Sequence, residues 1–210
     1  MIKEFEKRLI TSLILIPLSI FFIIKGSIFF IFFLSIIFLV TSYEWVIMSK
    51  KNNLLKFSGM IFLLFSFYSA FEVRGNENYK DFLFIIMICI FTDIGGYLCG
   101  KIFKGPKLTK ISPKKTYAGV FGGFFLPLIV SLVVYEYQYI DEITATGLYF
   151  LILILLISLI SQIGDLIISY FKRKAKLKDT GKILPGHGGL LDRIDGMIFV
   201  FPFCYLITIL

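Results

Sequence analysis

Long, uninterrupted runs of apolar residues alternate with short polar segments along this chain. The runs approach the ~20 residues that an α-helix needs to cross the hydrocarbon core of a bilayer. They lack the strict alternation of apolar and polar residues that is typical of membrane β-strands, so the pattern predicts helices. We expect an all-α, polytopic membrane protein with about seven transmembrane helices. The predicted spans are 9–24, 27–48, 57–72, 82–103, 117–137, 146–171 and 190–210.

The basic residues are concentrated in every second connection between these spans. With the N-terminus in the cytoplasm, the cytoplasmic segments hold every Lys and Arg except Lys25, Arg74 and Lys80. Cytoplasmic loops of membrane proteins are enriched in Lys and Arg. We therefore expect a cytoplasmic N-terminus, with the two strongly basic loops, 101–115 and 172–193, on the same side.

Composition supports a membrane protein and excludes several other classes. The chain is 58% hydrophobic, with a mean hydropathy of +0.88, against roughly 45–50% apolar residues in ordinary soluble domains. The net charge of +8 lies in loops beside a membrane, so we expect no nucleic-acid partner. Three isolated cysteines without a CxxC pair predict neither a zinc site nor a disulfide framework. Residues 1–210 are interpreted as a single integral membrane domain.

Acidic residues occur inside or beside the predicted spans, where a charge is costly and usually functional. They are Asp93, Asp165, Asp192 and Asp195. Polar residues of the sixth span also recur at the spacing of one helix face. A polar stripe in a membrane helix predicts a lined cavity, and hydrogen bonds between helices are the alternative for its Ser and Gln members. The stripe comprises Ser158, Ser161, Gln162, Asp165, Ser169 and Lys172.

The segment 169–195 combines basic residues, a glycine-rich turn and an acidic pair, and is called the signature segment below. Glycines on both sides of His187 let the backbone approach a ligand and expose N–H donors, as in phosphate-binding loops. Asp192 and Asp195 have the i, i+3 spacing of one helix face. Paired carboxylates suit Mg²⁺, whereas acidic residues at a helix N-terminus also serve capping. The signature segment therefore predicts a phosphate site with a metal ion.

The other basic loop ends in Ser112-Pro113-Lys114-Lys115-Thr116. Ser112 is predicted as an N-cap and Pro113 as the first helical residue. A helix N-terminus beside lysines binds anions, and contact with anionic lipid headgroups is the alternative. Separately, Gly96-xxx-Gly100 and Gly119-xxx-Gly123 predict close packing of the fourth and fifth helices.

The signature segment resembles that of the phosphatidate cytidylyltransferases, also called CDP-diacylglycerol synthases. The matching residues read S-x-x-K-R-x4-K-D-x-G-x-x-L-P-G-H-G-G-x-x-D-R-x-D. The resemblance covers nearly the whole chain, and its further parts are Arg8, Glu44-Trp45, Asp93-x-Gly95, Ser112-Pro113-Lys114-Lys115-Thr116-x-x-Gly119 and Gln162-x-Gly164-Asp165. One departure is Tyr117-Ala118, where the family usually has Trp-Glu.

This resemblance implies an enzyme of phospholipid biosynthesis in the cell (inner) membrane, with its active site on the cytoplasmic face. It would transfer CMP from CTP to phosphatidic acid and release CDP-diacylglycerol and pyrophosphate. The implied cofactor is Mg²⁺, with room for a second metal ion, and the implied partners are CTP, phosphatidic acid and the bilayer. A homodimer is left open. A CTP-using lipid-alcohol kinase and an anion or lipid transporter are the alternative functions.

The resemblance also implies roles for individual residues. The implied catalytic residues are Asp165, Lys172, Arg173, Lys178, Asp179, His187, Asp192, Arg193 and Asp195. The implied substrate-binding residues are Ser112, Lys114, Lys115, Thr116, Ser169, Gly186, Gly188 and Gly189. The implied metal ligands are Asp165, Asp192 and Asp195, with Asp93 as a candidate outer ligand.

Overall fold

The structure is a computed structural model that describes residues 2–76, 79–109, 112, 115–136 and 147–209. Within these ranges it is a helical bundle without β-strands. Its helices are α1 (Ile2–Lys25), α2 (Ser27–Met48), α3 (Asn53–Asn76), α4 (Tyr79–Ile102), α5 (Tyr117–Glu136), α6 (Gly147–Lys174), α7 (Leu191–Ile194) and α8 (Met197–Ile209).

Five of the described helices, α2 to α6, are long and apolar enough to cross a membrane. Shorter apolar stretches occupy Leu9–Lys25 of α1 and Met197–Thr208 of α8. Large apolar side chains are exposed on many faces of the bundle, as expected where lipid rather than water surrounds a protein. The predicted fold class, an all-α polytopic membrane protein, is confirmed.

The predicted seventh span, 190–210, is not one continuous helix. Its first turn is α7, and α8 begins only after Asp195 and Gly196. The carboxylate of Asp195 accepts the N–H of Gly196 at 3.0 Å, and the Gly196 carbonyl accepts the N–H groups of Phe199 and Val200. Asp195 is the C-cap of α7 and keeps helical backbone angles (φ −59°, ψ −32°), so its i, i+3 spacing from Asp192 still lies on helical backbone, although the regular helix is interrupted after it.

Glycines bring α4 and α5 into backbone contact, as the sequence predicts. A Cβ atom on Gly95 would overlap the carbonyl oxygen of Gly122, and one on Gly119 would lie 2.8 Å from the carbonyl oxygen of Gly96. Any side chain at these positions would therefore separate the helices. The close contact holds the start of α5 beside the end of α4.

A compact apolar cluster supports the end of the bundle where α2, α6 and α7 meet. Its buried members are Trp45, Met48, Leu63, Ile168, Leu191 and Ile198. The Trp45 indole donates to the Leu55 carbonyl at 3.3 Å and lies edge-on against Phe171. This cluster fixes α2, α3 and α6 relative to one another beneath the signature segment.

Candidate active site at one end of the bundle

Successive turns of α6 carry the polar residues that begin the candidate site. Ser169 donates a hydrogen bond to Asp165 Oδ1 at 3.2 Å, and Lys115 Nζ lies 2.6 Å from Asp165 Oδ2. The side chains of Lys115 and Asp165 are each about one quarter exposed (25% and 27%). The structure thus brings together three predicted site residues, one from the basic loop 101–115 and two from α6.

The start of α5 differs from the prediction. Ser112 is not an N-cap, because α5 begins at Tyr117 and Thr116 Oγ1 accepts the N–H of Gly119 at 3.1 Å. The Leu108 N–H bonds to the Lys115 carbonyl at 2.8 Å. This bond and the bridge between Lys107 and Thr116 place Lys115 and Thr116 outside the helix, so the cap falls at Thr116. Pro113, predicted as the first helical residue, and Lys114, predicted as a site residue, lie outside the described residues.

Lys172 and Asp192 form a second ion pair, with 2.7 Å between Nζ and Oδ1. Their side chains are only 12% and 9% exposed. The other oxygen of Asp192 accepts the backbone N–H groups of Thr180 at 2.8 Å and Gly189 at 3.1 Å. Burial alone opposes ionisation, but these three bonds, the Lys172 bond first, hold the pKa of Asp192 below its usual range. Asp192 is therefore a charged residue that holds the signature segment together.

Glu44 of α2 is a site residue that the sequence argument did not single out, although its pair with Trp45 belongs to the family resemblance. Only 1% of Glu44 is exposed. Its Oε1 accepts the Leu190 N–H at 3.0 Å, and its Oε2 accepts the Leu191 N–H at 2.8 Å and the Thr180 hydroxyl at 3.0 Å. A carboxylate near the end of an apolar helix was the available signal.

The glycine-rich turn has the backbone conformation that the sequence suggests. Gly186 and Gly188 have φ angles of 76° and 86°, in the left-handed region that favours glycine. Gly189 is needed for another reason, because a Cβ atom there would overlap Thr180 Oγ1. The Gly189 N–H is donated to Asp192, so in this structure it serves the turn itself and not a ligand.

Residues on both sides of the turn hold it in place. Arg193 Nε donates to the His187 carbonyl at 3.2 Å, and the same carbonyl accepts from Arg193 Nη2. From α1, Thr11 Oγ1 donates to the Pro185 carbonyl at 3.2 Å, and Ser12 Oγ lies 3.4 Å from His187 Nε2. Sequence reasoning missed Thr11 and Ser12, because such residues in apolar helices commonly bond to their own backbone.

The remaining predicted catalytic residues lie on the surface of the segment after α6. Lys178 and Asp179 are exposed, and so is Arg173. Arg173 Nη1 donates to the Leu177 carbonyl at 3.2 Å, which ties down the end of α6. These three side chains do not take part in the Lys115–Asp165 or Lys172–Asp192 ion pair. Their catalytic roles stay predictions.

Asp165, Asp195 and Asp93 form the acidic part of the site. The carboxyl groups of Asp165 and Asp93 are close enough to Asp195 to act electrostatically on it. Two ionised carboxylates in contact repel each other unless a proton or a cation lies between them. Carboxylate oxygens are ligands that Mg²⁺ accepts. The chemistry of Asp165 and Asp195 therefore suits a metal ion, with Asp93 as an outer residue.

Asp192 fits the predicted metal set less well, since both of its oxygens already accept hydrogen bonds from the protein. In the described part of the chain, no group of three or more His, Cys, Asp and Glu residues is arranged in a ready-made metal site. The metal ligands stay a prediction, for which the geometry favours Asp165 and Asp195 over Asp192.

The family model and the individual relatives that match this chain point to the same family. Residues 54–210 match the model of the cytidylyltransferase family. The chain is 37% identical over 153 residues to a phosphatidate cytidylyltransferase from Bacillus subtilis, which covers 71% of this chain and 56% of the relative. It is 31% identical over 209 residues to the enzyme of that name from Rickettsia felis, which covers 97% and 92%.

A phosphatidate cytidylyltransferase from Staphylococcus aureus is 39% identical over 180 residues, covering 82% of this chain and 66% of the relative. The chain thus spans little more than half of the Bacillus subtilis relative and nearly all of the Rickettsia felis relative. The family resemblance noted in the signature segment is confirmed by matches that extend far beyond it. This chain belongs to the cytidylyltransferase family.

Proposed function

We propose that this protein transfers CMP from CTP to phosphatidic acid, giving CDP-diacylglycerol and pyrophosphate for phospholipid biosynthesis. The observation that carries the proposal is the meeting of Lys115, Asp165, Lys172 and Asp195 at one end of a membrane bundle. Relatives named phosphatidate cytidylyltransferase match over 71% and 97% of the chain, which supports the same substrates here.

The reaction joins two anions. A phosphate oxygen of phosphatidic acid attacks the α-phosphorus of CTP, and the bond from that phosphorus to the oxygen bridging to the β-phosphate breaks, so that pyrophosphate leaves. A phosphomonoester has its second pKa near ~6, so the nucleophile is already ionised at neutral pH. Charge neutralisation and in-line positioning are therefore the main requirements, and a general base is not essential.

The basic residues of the site supply this neutralisation. Without substrate, Lys115 is paired with Asp165 and Lys172 with Asp192. Incoming phosphates would compete for both ammonium groups, and Arg193, which is exposed beside His187, can contact two phosphate oxygens at once. His187 would donate a hydrogen bond to a substrate phosphate. Each protein ion pair thus exchanges for a protein–substrate pair.

Asp165 and Asp195, with Asp93 beside them, are the residues that would hold Mg²⁺. A bound Mg²⁺ ion supplies positive charge to the phosphate oxygens and aligns them for in-line displacement. Asp165 would then need to release Lys115, which frees that ammonium group for a phosphate. A second metal ion and a homodimer stay predictions.

The orientation follows from charge. The basic loops contribute Lys115 and Lys172 to the same end of the bundle, and cytoplasmic loops are the basic ones. We therefore place the site on the cytoplasmic face of the cell membrane, where CTP is available. The phosphatidic acid headgroup would enter beside the polar face of α6 while its acyl chains stay in the bilayer.

The test uses purified protein in lipid nanodiscs with labelled CTP, Mg²⁺ and either phosphatidic acid or diacylglycerol. Product should form only with phosphatidic acid. Asp165→Asn should lower kcat/KM by at least about 100-fold, because this carboxylate would hold the Mg²⁺ ion that neutralises charge on the phosphate oxygens in the transition state. Glu72→Gln, a similar change in α3 away from the site, is the control. Equal turnover with diacylglycerol would favour a lipid kinase, and full activity of Asp165→Asn would refute the role of that carboxylate.

A further inference from the structure

Two carboxylates, those of Asp192 and Glu44, both join Thr180 to the residues at the start of α7. Asp192 accepts the backbone N–H groups of Thr180 and Gly189. Glu44 accepts the Thr180 hydroxyl and the N–H groups of the two residues that follow Gly189. Thr180 is therefore bonded to both carboxylates, one through its backbone and one through its side chain.

Glu44 differs from Asp192 in that it comes from a distant part of the chain. It lies in α2, 136 residues before Thr180, and outside the residues 54–210 that match the family model. The three groups that donate to Glu44 are neutral. The surroundings are shaped for this side chain, because a Cβ atom on Gly181 or Gly189 would lie 2.5 Å or 2.7 Å from its carboxylate oxygens.

Burial explains why these bonds matter. A carboxylate taken out of water is costly unless donors satisfy it, and a buried N–H that loses its acceptor is costly as well. Glu44 and the three donors are thus satisfied only when Thr180 and the start of α7 lie in one arrangement. The same arrangement presents the Thr180 and Gly189 N–H groups to Asp192, which in turn pairs with Lys172.

We propose that Glu44 is a positioning residue, which sets the geometry of Lys172 and the glycine-rich turn by fixing Thr180 to the start of α7. Glu44 touches no substrate and acts through Asp192. Its effect on catalysis rests on the proposed function, whereas its effect on the order of the segment does not. Loss of Glu44 should lower kcat, because the positions of Lys172 would spread, and should leave KM for CTP nearly unchanged.

The first variants are Glu44→Gln and Glu72→Gln. A glutamine at 44 keeps the size of the side chain but offers one acceptor oxygen where two are used, and its amide N–H groups would face a backbone N–H. Glu72 is a matched control because it also lies in a membrane helix and interacts with a neighbour, Tyr68. It is 17 residues along α3 from Leu55, about 25 Å at 1.5 Å per residue.

A second pair of variants, at Thr180, tests the single hydrogen bond from the Thr180 hydroxyl to Glu44 without changing the charge. Thr180 is 2% exposed, and Thr180→Val deletes its hydroxyl while keeping its shape. Thr180→Ser keeps the hydroxyl, so the segment should stay nearly as resistant to proteolysis as in the wild-type protein. This pair decides the question if Glu44→Gln fails to fold, since valine fits the space of threonine.

The readout that does not depend on activity is trypsin cleavage after Lys182, an exposed residue between Thr180 and the glycine-rich turn. Cleavage should accelerate by about tenfold in Glu44→Gln, by a smaller factor in Thr180→Val, and not in Glu72→Gln. The melting temperature serves to identify folded variants. In those variants kcat should fall in the same order as cleavage rises.

Equal cleavage rates in Glu44→Gln and Glu72→Gln, or in Thr180→Val and Thr180→Ser, would overturn the proposal. Faster cleavage with an unchanged kcat would overturn its catalytic part. If the wild-type protein forms no CDP-diacylglycerol, the proposed function fails, but the trypsin rates still decide whether Glu44 orders the segment.

Discussion

The ion pair between Lys172 and Asp192 gives a prediction that the structure makes quantitative. The two side chains are 12% and 9% exposed and 2.7 Å apart. Asp192→Asn would leave the Lys172 ammonium group buried without its counter-charge. Removing one partner of a buried pair costs about 3–5 kcal/mol of unfolding free energy. We expect the loss to be at the lower end of this range, because the asparagine oxygen can still accept from Thr180 and Gly189.

The comparison that isolates the charge is the double variant Lys172→Met with Asp192→Asn. It removes both charges and keeps an acceptor for the two backbone N–H groups, so its stability should return to within about 2 kcal/mol of the wild-type protein. The unfolding free energy of Lys172→Met alone should lie between those of Asp192→Asn and the double variant, since Asp192 keeps two of its three donors.

Denaturant unfolding in mixed micelles, followed by fluorescence, measures these differences. Trp45 is the single tryptophan of the chain and contacts Phe171, the neighbour of Lys172, so the signal reports on this region. Wild-type stability of Asp192→Asn, or a double variant less stable than that single variant, would refute the reasoning.

Two further predictions concern the same segment. Because the pKa of Asp192 is lower in the folded state, the stability that it contributes is complete above the unfolded pKa of about 3.9 and is lost as pH falls below it. The unfolding free energy of Asp192→Asn should therefore depend less on pH than that of the wild-type protein between about pH 5 and pH 3. Equal slopes in the two proteins would contradict this. Gly189→Ala should lower the melting temperature, because its Cβ would overlap Thr180 Oγ1, whereas Gly75→Ala meets nothing within 4 Å; equal melting temperatures would show that the turn relaxes freely.

The helices could be predicted because each apolar run carries its own signal. The third run, predicted as 57–72, is part of α3 (Asn53–Asn76), whose polar ends hydropathy does not include. The break before α8 was missed because the apolar pattern does not encode it; at the break, the Asp195 carboxylate accepts the N–H of Gly196. The early cap at Ser112 was wrong because pairing between Leu108 and Lys115 overrides it.

Some contacts of the candidate site could also be predicted from the sequence, and others could not. Asp165, Ser169 and Lys172 could be placed on one face from helix periodicity alone. Glu44 and Thr11 could not be placed against the signature segment, because their partners lie 136 to 174 residues away and no spacing rule spans that distance. The donors that reach the oxygens of Asp192, from Lys172, Thr180 and Gly189, could not be predicted from its position in the sequence.

The most direct test of the proposed function follows the phosphorus atoms of CTP. Protein in nanodiscs with phosphatidic acid and Mg²⁺ would receive CTP labelled either at the α-phosphorus or at the γ-phosphorus. Transfer of CMP predicts that α-label enters the lipid fraction and γ-label appears in pyrophosphate. γ-Label in the lipid fraction, or no label in lipid from either CTP, would contradict the proposal that this chain is a phosphatidate cytidylyltransferase.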